Sequence, residues 1–268
     1  SFIITFYKKI FIFTDLDGSI LNRENFKFDE IINFIKECDN EGIVIIPNSS
    51  KTKIEIQNFC FDINLNLPFI SENGSAIHNV NLLNFDLPSE IILSRKKEEI
   101  INIFNQNISK SHKVKCKFVQ DMALCEQIKV LGLSAGKIKD ALNRSYSYPL
   151  IFTGNIEDKL ELSKNISDLG LKLHEGDRLL NLGDNVAKGT AMKKFVSLMN
   201  IKNILTIAVG DSKNDIDMLD ASDFPCLVYN KLTQLNDIDT ERYFISNSEA
   251  PLGWAEVVKR VLNNLKGD

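Results

Sequence analysis

The chain has 268 residues, of which 44% are hydrophobic, 25% charged and 9% aromatic. That composition excludes disordered and fibrous proteins, and the length is enough to bury a substantial core. With 32 basic and 36 acidic residues the net charge is −4, which argues against a general nucleic-acid or anionic-membrane partner, and no apolar run is long enough to cross a bilayer.

The first residues, Ser1 to Lys9, put apolar side chains ahead of positive charge, the wrong order for a secretory leader. Ile10–Thr14 (IFIFT) is continuously apolar and runs into Asp15. Such runs mark strands buried on both faces, as in a parallel sheet. Ile31, Ile32, Phe34, Ile35 and Cys38 follow at helical spacing until Gly42 stops them. A second strand, Ile43–Ile46, meets Pro47-Asn48-Ser49-Ser50, and a helix around Ile54 and Phe59 follows. From Phe85 to Gly183 the acidic strand ends disappear. The pattern predicts helices over 96–109, 120–131 and 134–145 and strands over 149–153 and 171–174, with Arg95–Glu99 as a solvated helix start. The first pattern then returns, with a helix through Ala191, Phe195, Val196 and Met199, strands in Leu205–Val209 and Phe224–Tyr229, and a last helix from Trp254 to Leu265.

Alternating strands and helices predict an α/β fold with a doubly wound, Rossmann-like parallel sheet, interrupted by an inserted α+β domain. The expected boundaries are a core from 1 to 84, the insert from 85 to 182, and the rest of the core from 183 to 268. Five scattered cysteines and three histidines, without a C-x-x-C pair, argue against zinc and for reduced thiols in a cytoplasmic protein. His78 and His174 sit in apolar surroundings and read as structural. Gly132–Lys137 is too short for a phosphate loop and reads as a turn between helices.

The chemistry concentrates at strand ends. Asp15-Leu16-Asp17-Gly18-Ser19 follows the first strand, and Gly210-Asp211-Ser212-Lys213-Asn214-Asp215 follows a later one. Open α/β sheets bind ligands at the carboxyl ends of their strands, so these acids are expected to share one crevice. Carboxylates so close repel unless a cation compensates. Four of them with few histidines describe an oxygen-lined site for a hard cation, Mg²⁺, which keeps positions for substrate phosphate oxygens. Ser49 and Ser50 supply donors at the second strand end, and Lys188, at a helix start, supplies positive charge.

Asp15–Ser19, Ser49-Ser50, Lys188 and Gly210–Asp215 resemble, in order, the four motifs of the haloacid-dehalogenase-like phosphohydrolases. The insert resembles the large cap of their sugar-phosphatase members. Ser49-Ser50-Lys51-Thr52, Phe69–Ile77, Gly132-Leu133-Ser134 and Arg144 resemble the mannosyl-3-phosphoglycerate phosphatase subfamily. The resemblance implies that Asp15 attacks phosphorus and becomes an aspartyl phosphate. Asp17 then serves as acid and, in the second half-reaction, as base. Ser49 would hydrogen-bond the phosphoryl group and Lys188 offset its charge. Mg²⁺ would be held by Asp15, the backbone carbonyl of Asp17, and Asp211, with Asp215 as a ligand or behind one. The implied substrate is mannosyl- or glucosyl-3-phosphoglycerate, a small phosphorylated sugar acid. Its expected contacts are Ser50, Lys51, Asn73, Arg144, Arg178, Asn181 and Asn214, with Lys51, Arg144 and Arg178 reading the carboxylate. Two positions depart from the subfamily pattern: Asn181 stands where His is common, and Ser145–Pro149 lacks an acidic residue before Pro149. Other sugar phosphates (a hexose phosphate, sucrose phosphate), a phosphomutase, and a non-catalytic binding protein of this fold remain alternatives at this point. The sequence does not fix the oligomeric state.

Overall fold

A computed structural model of the chain describes residues 9–176, 179–232 and 241–267. Its centre is a five-stranded parallel sheet in the order β12-β11-β10-β1-β2. These strands are β1 (Lys9–Thr14), β2 (Val44–Pro47), β10 (Ile204–Gly210), β11 (Phe224–Leu227) and β12 (Phe244–Ile245).

Side-chain alternation explains why the strands look uniformly apolar. Ile10 and Ile12 of β1, Ile45 of β2 and Leu205, Ile207 and Val209 of β10 point into one buried layer. Phe11, Phe13, Val44, Ile46 and Ala208 point into the other. A sheet covered on both faces needs apolar residues at every position. Helices α1 (Ile32–Asn40), α2 (Lys53–Asp62) and α10 (Leu252–Gly267) cover the first face. The indole of Trp254 is fully buried there and donates to Thr14 Oγ1 at 2.9 Å. Helices α8 (Lys188–Ser197) and α9 (Ile216–Ala221) cover the second, where Phe195 packs edge-on against Phe11 and Phe13. Helix α2 begins on a complete capping box, Thr52 with Glu55, directly after Ser49–Lys51.

Two further sheets lie between β2 and α8. A small antiparallel sheet joins β3 (Phe69–Ser71), β4 (Ala76–His78) and β5 (Glu90–Ile92). Ile70 and Ile77 pack into the second core layer, and Asn48 bridges to Ile70, so this sheet continues the edge of β2. The apolar pattern did not signal these three-residue strands. Beyond them stands a four-stranded antiparallel sheet in the order β6-β7-β9-β8: β6 (Cys116–Phe118), β7 (Ser147–Phe152), β8 (Leu171–Glu175) and β9 (Leu180–Asp184). Helices α3 (Lys97–Asn107) and α7 (Ile156–Asp168) bury Ile100, Phe104, Leu162 and Ile166 against it, in a core separate from the other two. Short helices α4 (Lys110–Lys113), α5 (Leu124–Leu131) and α6 (Ala135–Ala141) complete this inserted α+β unit.

Several expected elements need adjustment. The helix expected over 120–131 starts at Leu124, after a 3-10 turn. The one expected over 134–145 ends at Ala141, where the chain turns so that Arg144 faces inward. Arg95 is not part of a solvated helix face. Its Nε and Nη2 grip the Asp184 carboxylate at 3.1 and 2.8 Å, tying the segment between β5 and the following helix to the end of β9. Among the described residues no helix is long and apolar enough to cross a membrane.

His78 and His174 are buried and held neutral. His78 stacks on Phe69 with ring centroids 4.6 Å apart and shares a 2.7 Å hydrogen bond with Ser71 Oγ. His174 Nε2 donates to the Asp184 carbonyl at 3.1 Å. Burial pulls both imidazoles down to about 4; at His78 the Glu90 carboxylate, 3.2 Å from Nδ1, opposes this and Lys53 adds to it, and at His174 Lys172 adds to it. Each ring therefore takes up its proton more readily in the unfolded chain. Their neutral form supports the fold above about pH 6.5, and that support is lost as pH falls from about 6.5 to 4, at up to about 1.4 kcal/mol per pH unit for each ring. Denaturant titrations at pH 7 and pH 5 should show this loss, and His174→Gln, which keeps a donor for the Asp184 carbonyl, should lose less across the same interval.

Candidate active site

Strand register sets the floor of the site. β1 and β10 run side by side with Thr14 opposite Val209, and the Asp15 N–H donates to the Val209 carbonyl at 2.9 Å. Both strands release their chains at one level, so Asp15 and Asp211 emerge as neighbours. Asp215 comes from the 3-10 turn before α9, and its Oδ2 accepts the Asp211 N–H at 3.0 Å. Carboxylate oxygens of Asp15, Asp211 and Asp215 lie within 4.8 Å of one another, and all three residues are buried. Gly18, at φ +77°, turns the chain over this floor, and a Cβ there would overlap the Asp211 carboxylate.

Lys188 enters from the first residue of α8. Its Nζ lies 3.1 Å from Asp15 Oδ1 and 2.7 Å from Asp215 Oδ1, and the Asn48 amide holds its carbonyl at 3.0 Å. Burial, followed by the charge of Asp215, raises Asp15 to about 7 against the opposing pull of Lys188. Burial also works against the lysine's charge, but Asp15 and Asp215 outweigh it and keep Lys188 protonated. Arg23 brings a second cation, ion-paired with Asp211, whose Oδ2 also accepts from Asn230 at 3.3 Å.

Asp17 stands at the edge of this group, half-buried, with Oδ2 3.2 Å from Lys51 Nζ. Burial opposes the charge of Lys51, yet Asp17 and Glu55 together hold its pKa above the usual lysine value. Asp17 Oδ1 is buried without a hydrogen-bond partner. Three converging carboxylates, an unsatisfied fourth and no nitrogen or sulfur donor among them fit a hard dication. A second group with metal-like spacing, His112, Asp158 and Glu161, lies on the insert, where Asp158 already pairs with Lys115 at 2.8 Å.

The acids open into a cleft of about 150 Å³ between the parallel-sheet unit and the insert. Asp15, Asp17, Ser50 and Lys51 line it from below, and Arg144, Asn181 and Asn214 also border it. Ser49 lies behind Ser50, with its Oγ accepting the Lys51 N–H at 3.1 Å. Asn73 borders a different cavity, of about 260 Å³, with Lys188, His174 and Asn214. The structure therefore gathers Asp15, Asp17, Ser50, Lys51, Lys188, Asp211 and Asp215 around one point and sets Asn73 behind Lys188. Arg178 lies outside the described residues.

Two of these positions differ in how far the protein already occupies them. The guanidinium of Arg144 is buried and bonded to Ser147 Oγ at 2.9 Å, the Ala141 carbonyl at 3.3 Å and the Ser50 carbonyl at 2.6 Å. Asn181 keeps a buried Oδ1 without a partner beside the cleft. The sequence reading missed Arg23, Asn230 and Glu72. Nothing in the spacing of Arg23 or Asn230 marks them. Glu72 stood inside a quoted motif but was given no role.

The comparisons come from three directions. A family profile described as haloacid dehalogenase-like hydrolase matches residues 12–85 and 152–243. A glucosyl-3-phosphoglycerate/mannosyl-3-phosphoglycerate phosphatase of Persephonella marina is 30% identical over 271 residues, covering 95% of this chain and 98% of that protein. The enzyme of the same name from Methanococcoides burtonii is 27% identical over 232 residues, covering 82% and 85%. Among solved structures, a phosphatase of the haloalkanoate superfamily from Bacteroides thetaiotaomicron superposes with a TM-score of 0.69, covering 96% of this chain and 95% of that one at 15% identity. That likeness concerns the fold.

Proposed function

The chain belongs to the haloacid dehalogenase-like hydrolases and is a phosphoric monoester hydrolase, and from that premise we propose that it releases phosphate from mannosyl- or glucosyl-3-phosphoglycerate through an aspartyl phosphate on Asp15. The observation that carries the chemical part is the position of the Asp15 carboxylate, buried at the foot of the cleft with Lys188 on one oxygen. Held there, it borders the cleft in which the phosphoryl group would lie. Asp17, at the cleft edge beside Lys51, is placed to hand a proton to the leaving oxygen and to take one from water afterwards. Ser49 and Ser50 present the loop that receives the phosphoryl oxygens, and Lys188 keeps compensating charge beside Asp15 as the negative charge moves.

Asp15, Asp211 and Asp215 with the Asp17 carbonyl form the set that would hold Mg²⁺, which when bound neutralises the transferring group and aligns its oxygens. We take the inserted α+β unit as a cap that closes over the leaving group and excludes water. The substrate assignment draws support from the two relatives named for it, which align along most of the chain. It also draws support from the cations at the cleft, Lys51 and Arg23, which suit a substrate carrying a carboxylate besides its phosphate. Asn181 is assigned to a sugar hydroxyl. Five free cysteines, four of them buried, fit the reducing cytoplasm.

The test is a panel measuring phosphate release from mannosyl-3-phosphoglycerate, glucosyl-3-phosphoglycerate, hexose phosphates, sucrose phosphate and p-nitrophenyl phosphate. The two phosphoglycerates are expected to give the highest kcat/KM, EDTA to stop turnover and Mg²⁺ to restore it. Preference for a plain hexose phosphate would reject the substrate, and full activity in EDTA would reject the metal.

A further inference from the structure

We propose that Glu72 and Arg144 are positioning residues that make the phosphate-binding loop depend on the docked cap. The proposal rests on the phosphatase reading of the Ser49–Lys51 loop and not on the identity of the sugar.

Three successive carbonyls of that loop are tied back. The Ser49 carbonyl accepts from Asn73 N at 3.0 Å, the Ser50 carbonyl from Arg144 Nη2 at 2.6 Å, and the Lys51 carbonyl from Glu72 N at 2.9 Å. In a trans peptide the C=O and the following N–H point in opposite directions. Holding the carbonyl side therefore turns the N–H side of the loop away from these partners, and Ser50 borders the cleft beside Asp15. The outer two holds come from the turn after β3. The middle one comes from the insert.

The insert's contribution is itself fixed by Glu72. This carboxylate is buried and accepts from Ser145 N at 3.0 Å, Tyr146 N at 3.1 Å and Ser147 Oγ at 2.8 Å. The Arg144 Nε lies 3.7 Å from it and donates to the same Ser147. One acid thus gathers the chain at the start of β7 and aims the guanidinium at Ser50. The backbone gives an independent sign of constraint. Glu72 and Asn73 both adopt left-handed φ, at 47° and 61°, followed by Gly74 at 91°, where a Cβ would overlap the Ala187 carbonyl next to Lys188. Residues with side chains avoid that region, and such departures concentrate where the surroundings over-determine a functional geometry. The turn is wedged between the Ser49–Lys51 loop, the cap and the residue preceding Lys188. Displacing the cap removes the support of Ser50 and three donors to Glu72 together.

Arg144 therefore acts on the reaction through Ser50, which separates this proposal from direct grip on a substrate carboxylate. The experiment compares kcat and KM of Glu72→Gln, Arg144→Ala and Ser147→Ala in the full chain, with p-nitrophenyl phosphate and a glycosyl-3-phosphoglycerate as substrates. A positioning role lowers kcat on both substrates alike, by roughly 10- to 100-fold for the first two variants, because small misplacement of a phosphate-holding group costs that much. Arg144→Lys, with a cation but no planar fork, should recover part of the loss. Ser147 does not itself border the cleft, and Ser147→Ala should lose severalfold on both substrates, which keeps the test decisive if the other variants do not fold. A higher KM for the phosphoglycerate alone, with p-nitrophenyl phosphate turnover unchanged, overturns the proposal. So does unchanged kcat in Ser147→Ala. Because p-nitrophenyl phosphate reports the shared phosphoryl chemistry, a wrong sugar assignment leaves this outcome readable.

Discussion

Asp15→Asn is expected to abolish turnover, by about 10⁴-fold or more, while making the metal-free protein more stable. Loss of a covalent nucleophile typically costs that much. The stability gain follows from the ionisation of Asp15. Burial and Asp215 raise its pKa to about 7, so the folded state resists the charge that the unfolded chain carries freely above about pH 4. Asparagine removes this unfavourable charge and leaves Lys188 its 2.7 Å partner, Asp215. Thermal melts in EDTA at pH 7.5 should place the variant a few degrees above the parent. Added Mg²⁺ should stabilise the parent more than the variant, because the dication loses one of its anionic ligands. A variant with normal turnover would exclude Asp15 as the nucleophile.

Lys188→Met should move stability the other way. It too should be inactive, but removing the ammonium strands Asp15 and Asp215 in a buried site without their shared partner. Breaking a buried ion pair from one side costs about 3–5 kcal/mol. Combining Lys188→Met with Asp15→Asn should recover part of that loss, since one of the two orphaned charges is gone. Denaturant midpoints of the two single variants and the double variant would measure this coupling. Additive midpoints would mean that Lys188 and Asp15 do not stabilise one another.

The parallel core was legible because its strands are covered on both faces. Ile10–Thr14 and Leu205–Val209 had to be apolar throughout, and acids placed directly after them announced the crevice. The antiparallel parts were not legible in the same way. Cys116–Phe118 and the strands at Phe69, Ala76 and Glu90 are three residues long, too short to show a period. In Leu180–Asp184 only Leu180 and Leu182 face the insert's core, too few positions to show a period. Side-chain destinations were harder still. Arg144 was expected at a substrate carboxylate, and its planar fork instead holds oxygens of the protein itself. Whether the oxygens it meets belong to a ligand or to the Ser50 carbonyl depends on where α6 ends, and Ala141 carries no stop signal. Arg95 illustrates the same limit, since its partner Asp184 lies 89 residues along the chain.

The neighbour relation between β1 and β10 has a consequence for the chain as it leaves the ribosome. Lys9 pairs with Ile204, so the central strand waits until nearly two hundred further residues have been made. At translation rates of about 5–20 residues per second that interval is roughly 10–40 s. During it, one edge of Phe11–Phe13 has no strand to meet, and by its last twenty or so residues the antiparallel sheet ending at Asp184 has all four of its members in the chain. The nascent protein thus carries a finished outer unit above an open apolar strand, the stage at which a chaperone has most to protect.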